Sequence, residues 1–105
     1  MSESQLIWRA GLNGIDVRGF SSLVMRIRGE RGGETPNIYL SDPVRRYPLR
    51  PKEMPPITTE WQTVKLPLDH YAKNGIDVSH LEALETVFEW KEQMGTMYID
   101  DIWFE

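Results

Sequence analysis

Most of this chain alternates with a period of two. In Leu23-Val24-Met25-Arg26-Ile27-Arg28, Leu23, Met25 and Ile27 share one parity, and Arg26 and Arg28 share the other. That pattern predicts a strand with one buried face and one solvated face. The run Gly29-Glu30-Arg31-Gly32-Gly33-Glu34 that follows has hairpin chemistry. Asn37 to Ser41 alternates again, with Ile38 and Leu40 opposed to Tyr39. Thr58 to Leu68 reads as a strand whose bulky members are Trp61, Val64 and Leu66, and Glu85 to Trp90 reads as another. Asp77 to Leu84 is the best helix candidate, a turn or two long, with Asp77 or Ser79 as its cap. Residues 42–56 hold five prolines, which rule out a central strand or a helix interior and predict a long loop.

The tail, Gly95-Thr96-Met97-Tyr98-Ile99-Asp100-Asp101-Ile102-Trp103-Phe104, reads as a closing strand with two adjacent carboxylates at its centre. Its phase changes midway. Met97 and Ile99 share one parity, while Ile102 and Phe104 share the other. A bulge at Asp100-Asp101 reconciles the two, and so does a strand covered on both sides. A short echo also stands out: Gly14-Ile15-Asp16-Val17 recurs as Gly75-Ile76-Asp77-Val78. It is too small to define a repeat architecture.

Composition narrows the class. A length of 105 residues predicts a single domain spanning residues 1–105, large enough for a real core. A net charge of −4 gives no general attraction to nucleic acid or anionic membrane. The absence of cysteine excludes disulfides and cysteine-based zinc sites. No apolar run reaches the roughly 20 residues of a membrane-spanning helix, and the polar Met1-Ser2-Glu3-Ser4-Gln5 is not a secretory signal. His70 and His80 lack zinc-like spacing and read as surface groups.

Short strands at regular spacing predict an all-β, antiparallel β-sandwich. The order of signals is more specific. Gly14 to Val17, then Leu23-x-Met25-x-Ile27-Arg28-Gly29, Gly32-Gly33-Glu34 and Ile38-x-Leu40-x-Asp42 resemble a carbohydrate-binding module of the galactose-binding-like jelly-roll type. Glu60 to Leu68, Gly75 to Ser79 and Gly95 to Ile102 continue the resemblance in order, so that it spans residues 8–104. It implies non-catalytic binding of a β-glucan or related plant or microbial polysaccharide, and an extracellular setting. Members of that family carry a further N-terminal segment whose strands pair with the tail. Here only Gln5 to Ala10 precede the first matched motif. An uncovered edge invites pairing, so a homodimer, a strand-exchanged oligomer or a sandwich completed by a partner chain is expected. The alternative reading is a protein-interaction or assembly domain on the same fold.

Sugar-binding sheets use flat rings against the apolar faces of pyranoses, with polar groups reading the hydroxyls. The candidates are Tyr39, on the polar side of its strand, Tyr47 in the proline-rich loop, and Trp90 beside Lys91-Glu92. Arg26, Arg28 and Glu89 alternate out of their strands as candidate hydrogen-bonding partners, although an ordinary solvated face is the simpler account of any one of them. Trp61 reads as core, Trp8 is ambiguous, and Trp103 is either an exposed ring or an oligomer contact. By resemblance, Asp100 and Asp101 stand where many such modules bind a structural calcium. Two carboxylates are only part of the 6–8 oxygens that calcium takes. No strand carries a Glu-x-Glu or Glu-x-Asp pair on one face, and there is no nucleophile elbow or phosphate loop, so catalysis is not expected.

Overall fold

The computed structural model describes residues 5–88 and 96–105. Among the described residues, seven strands run in chain order: β1 (Gln5–Ile15), β2 (Ser22–Gly29), β3 (Asn37–Ser41), β4 (Arg46–Leu49), β5 (Gln62–Pro67), β6 (Leu81–Phe88) and β7 (Met97–Phe104). One short helix, α1 (Leu68–Ala72), joins β5 to β6, and a single 3-10 turn covers Pro51–Glu53. The strands form a four-stranded sheet in the order β1-β6-β3-β4 and a three-stranded sheet in the order β5-β2-β7. All strand pairs are antiparallel. The all-β sandwich read from the alternation is therefore the fold.

The core lies between the sheets. Leu23, Met25 and Ile27 of β2 meet Ile38 and Leu40 of β3 and Leu81, Leu84 and Phe88 of β6, all buried. Tyr71 on α1 is fully buried too, and its hydroxyl donates to the Ile38 carbonyl at 2.8 Å. Burial raises the Tyr71 phenol well above its ordinary range. Apolar area removed from water is the main stabilising contribution here, at about 25 cal/mol per Å².

The structure corrects two expectations. Asp77 to Leu84 is not a helix: Leu81 begins the central strand β6, which pairs with β1 on one side and β3 on the other. Its burial on both faces gave a spacing that looks helical. The helix is instead Leu68–Ala72, anchored by Leu68 and Tyr71 three apart. The proline-rich stretch is not one loop either, since Arg46–Leu49 forms β4. Pro48 is tolerated because β4 lies at the sheet edge, where a missing N–H breaks no ladder. Asp42-Pro43-Val44-Arg45 turns β3 into β4, with Asp and Pro in favoured turn positions.

The two echoing segments meet. The Val17 N–H donates to the Val78 carbonyl at 2.9 Å. In each, the glycine has positive φ, +73° at Gly14 and +99° at Gly75. In each, the aspartate accepts from the backbone N–H two residues on, Asp16 from Arg18 and Asp77 from Ser79. Both corners use the same local chemistry, a left-handed glycine followed by an Asx turn.

Candidate functional site

Sheet register divides the expected site residues between two faces. Tyr39 lies on the outer face of the four-stranded sheet, and Arg26 and Arg28 lie on the outer face of the three-stranded one. Tyr47 is opposite the core residue Leu40 and turns inward, packing against the core and against His70 with ring centroids 5.5 Å apart. It is therefore not an open ring in a loop. Glu89 and Trp90 lie outside the described residues.

On the four-stranded face, one register row crosses every strand: Arg9 of β1, Glu85 of β6, Tyr39 of β3 and Pro48 of β4. Arg46 reaches in from the edge. Its guanidinium stands 3.9 Å from the Tyr39 ring centroid and 3.7 Å from Glu85. Arg9 approaches Glu85 from the other side at 3.5 Å. The next row is Gly11, Ala83 and Ser41, closed by Arg46. Its first three members have almost no side chain, and a Cβ added at Gly11 would meet nothing within 4 Å. The result is a trough running across the strands, floored by small residues and walled by a ring, a carboxylate and two guanidiniums. At a strand spacing of about 4.8 Å, four strands make it roughly 14 Å long, more than one pyranose can fill.

The three-stranded face has a different character. Its register rows are Lys65-Val24-Trp103 and Thr63-Arg26-Asp100, followed by Arg28-Tyr98 with Trp61 alongside. Trp61, Tyr98 and Trp103 are 41%, 38% and 39% exposed, which corrects the expectation that Trp61 is core. The signal was present in the parity: Trp61 matches Thr63 and Lys65, which are exposed, and not Val64 and Leu66, which are buried. Arg28 stacks between two rings, 4.2 Å from Tyr98 and 5.3 Å from Trp61, and Arg26 lies 5.5 Å from Trp61. Lys65 pairs with Glu105, and this hydrogen bond, aided by the Trp103 side chain, holds the Glu105 carboxyl below its usual range.

The phase change of the tail is a bulge. Met25 pairs with Ile102 and Arg26 with Asp100, leaving Asp101 as the extra residue at φ +48°. Ile99 and Ile102 both reach the core, and Asp100 and Asp101 are both exposed. Asp101 lies 3.9 Å from the Arg26 guanidinium. Among the described residues no three His, Cys, Asp or Glu side chains gather as metal ligands. Two exposed carboxylates, one facing a guanidinium, do not by themselves fit calcium's oxygen set.

Below the trough, Asp42 fixes the end of β3. Its Oδ1 accepts from the Val44 and Arg45 N–H groups at 2.8 and 2.7 Å, and its Oδ2 accepts from the Asp77 N–H at 2.7 Å. Burial alone would raise this carboxyl's pKa, but the three N–H groups and the nearby Arg45 charge outweigh it and hold the pKa below the ordinary value.

Comparison with known proteins adds the following. Residues 2–105 match the family model described as carbohydrate binding domain 30. The chain is similar to the crystal structure of a family 30 carbohydrate-binding module, with a TM-score of 0.76 and 25% identity over 96% of this chain and 58% of that one. It is also similar to the family 30 module of the cellulosomal cellulase Cel9D-Cel44B of Clostridium thermocellum, with a TM-score of 0.70 and 27% identity over 96% of this chain and 65% of that one. This chain thus spans less than two thirds of either solved chain. A comparison with curated proteins gave no match.

Proposed function

Because the chain belongs to the family of carbohydrate binding domain 30, a non-catalytic domain type, we propose that its ligand is a β-linked glucan or a related plant or microbial polysaccharide, held in the trough of the four-stranded sheet. The observation that carries this reading is the pairing of a row of small residues, Gly11-Ala83-Ser41, with the Arg9-Glu85-Tyr39 row beside it. A chain lying across the strands sets a pyranose against the Tyr39 ring. Glu85 accepts from neighbouring hydroxyls, and Arg9 and Arg46 donate to them. The ion pairs already present orient these groups before the ligand arrives, which lowers the ordering cost of binding. The origin of one solved relative in a cellulosomal cellulase supports a glucan over other polymers.

Isothermal titration against soluble β-glucan, xylan, mannan and pectin tests the ligand, and the variants R46A, E85Q and A83L test the place. Binding to β-glucan is expected, with each variant weakening it by about tenfold or more. Wild-type affinity in both R46A and E85Q would remove the trough as the site.

A further inference from the structure

The trough leaves the opposite face of the sandwich unused, and that face carries three of the four exposed rings among the described residues. We propose that the outer face of the three-stranded sheet is a second glycan surface, which takes a neutral polysaccharide chain independently of the trough. One domain then holds two chains on opposite faces and bridges them. Glycan binding by this face rests only on the carbohydrate-binding family, and the bridging of two chains rests also on the trough reading.

Three observations support it. First, Trp61, Tyr98 and Trp103 keep roughly two-fifths of their surface exposed on a single face, where scattered placement is the norm for apolar side chains. Tyr98 and Trp103 lie at opposite ends of β7, roughly 13 Å apart, beyond the reach of one sugar ring. Second, the groups between the rings are hydroxyl readers. The bulge turns Asp100 and Asp101 to the same side, and Arg26 faces them from β2. A regular strand would send one of the two carboxylates inward. Third, charge is balanced across the face: Arg26, Arg28 and Lys65 against Asp100, Asp101 and Glu105. A nucleic acid or an anionic membrane needs an excess of cations, which this face lacks. A neutral polyol needs rings with donors and acceptors of both kinds, and the face has them. Stacking on Arg28 keeps Tyr98 and Trp61 apart, so the two rings do not collapse onto each other.

The test is bridging. Wild-type protein is titrated into soluble mixed-linkage β-glucan and into xyloglucan, with affinity read by calorimetry and cross-linking by light scattering. Scattering is expected to rise to a maximum and fall again with excess protein. W61A/Y98A/W103A is expected to keep trough binding, lose scattering and occupy about half as many polymer segments per protein molecule as the wild type. W61F/Y98F/W103F, which retains the rings, is expected to scatter as wild type does. If the triple alanine variant melts early, W103A on β7 serves instead, with about a tenfold loss at the weaker site. Wild-type scattering and stoichiometry in the folded alanine variant overturn the proposal. So does a wild-type dimer that the alanine variant converts to monomer, since the face is then a contact between copies. If R46A/E85Q binds normally and the alanine variant binds nothing, the trough reading fails, and with it the two-chain claim.

Discussion

Asp42 offers the sharpest test of how this fold is held. Replacing it by Asn keeps the shape and removes the charge. The amide has one acceptor oxygen for three N–H donors. Turned toward Val44 and Arg45 it keeps two bonds and sets its NH2 against the Asp77 N–H, 2.7 Å from the present Oδ2. Turned the other way it keeps one bond and loses two. Hydrogen bonds to a charged group contribute about 1.5–3 kcal/mol each, and neutral ones about 1 kcal/mol. One orphaned donor plus two weakened bonds amounts to a loss of roughly 2–4 kcal/mol, a large part of the 5–15 kcal/mol typical of a domain. The melting temperature of a domain this size should fall by roughly 8–32 °C, at about 4–8 °C per kcal/mol. Calorimetry and urea unfolding at pH 7 measure this. The pH dependence adds a second constraint. The folded carboxyl titrates below its unfolded value. Its contribution is therefore complete above the unfolded pKa, near 3.9, and is lost as pH falls through the folded value. The wild-type and D42N curves should converge in acid. A D42N melting point equal to wild type at pH 7, or a gap that persists unchanged at the acid end, would refute the reasoning.

Three further outcomes are expected. Thr86 is fully buried and its hydroxyl has no partner among the described residues, so T86V, of the same shape, should raise stability by about 1 kcal/mol; a lower denaturation midpoint would contradict this. Y71F removes the hydroxyl that donates to the Ile38 carbonyl and should lower stability by about 1–2 kcal/mol in urea unfolding, with no change in glycan affinity. Chelation by EDTA should leave both melting temperature and glycan affinity unchanged, because among the described residues no third acidic or imidazole ligand joins Asp100 and Asp101; a clear fall in either would assign the bulge to a cation.

Where one strand face is buried and the other wet, the sequence was readable. The alternation of Leu23 to Arg28 gave β2 and its two faces, and the phase change between Ile99 and Ile102 marked the bulge. Reading failed where tertiary context overrides local pattern. β6 has buried residues of both parities, so Leu81, Ala83 and Leu84 lose the period of two. β4 holds Pro48 because no described strand pairs beyond it. The site was half legible for the same reason. Parity can say that Tyr39 faces outward, but not that Arg9, Glu85 and Arg46 of three other strands converge beside it. That requires register, which pairs residues as far apart as Arg9 and Glu85. Trp61 was misjudged by weighing its size above its parity.

The strand order β5-β2-β7 has a consequence for how the molecule is made. Leu23 pairs with Phe104, and Arg9 with Glu85, so both sheets are closed by partners far apart along the chain. Such high contact order predicts folding in milliseconds to seconds, because distant loops must close before their contacts can form. During synthesis β2 leaves the ribosome with its central hydrogen-bonding edges unfilled, and waits for β5 and then β7. At about 5–20 residues per second, the residues between Leu23 and Phe104 take several seconds to appear. Over that interval the Leu23-Met25-Ile27 edge is open to pairing with another chain. The exposed arginines at 26 and 28, which alternate with that apolar edge, are well placed to discourage such pairing until β7 arrives.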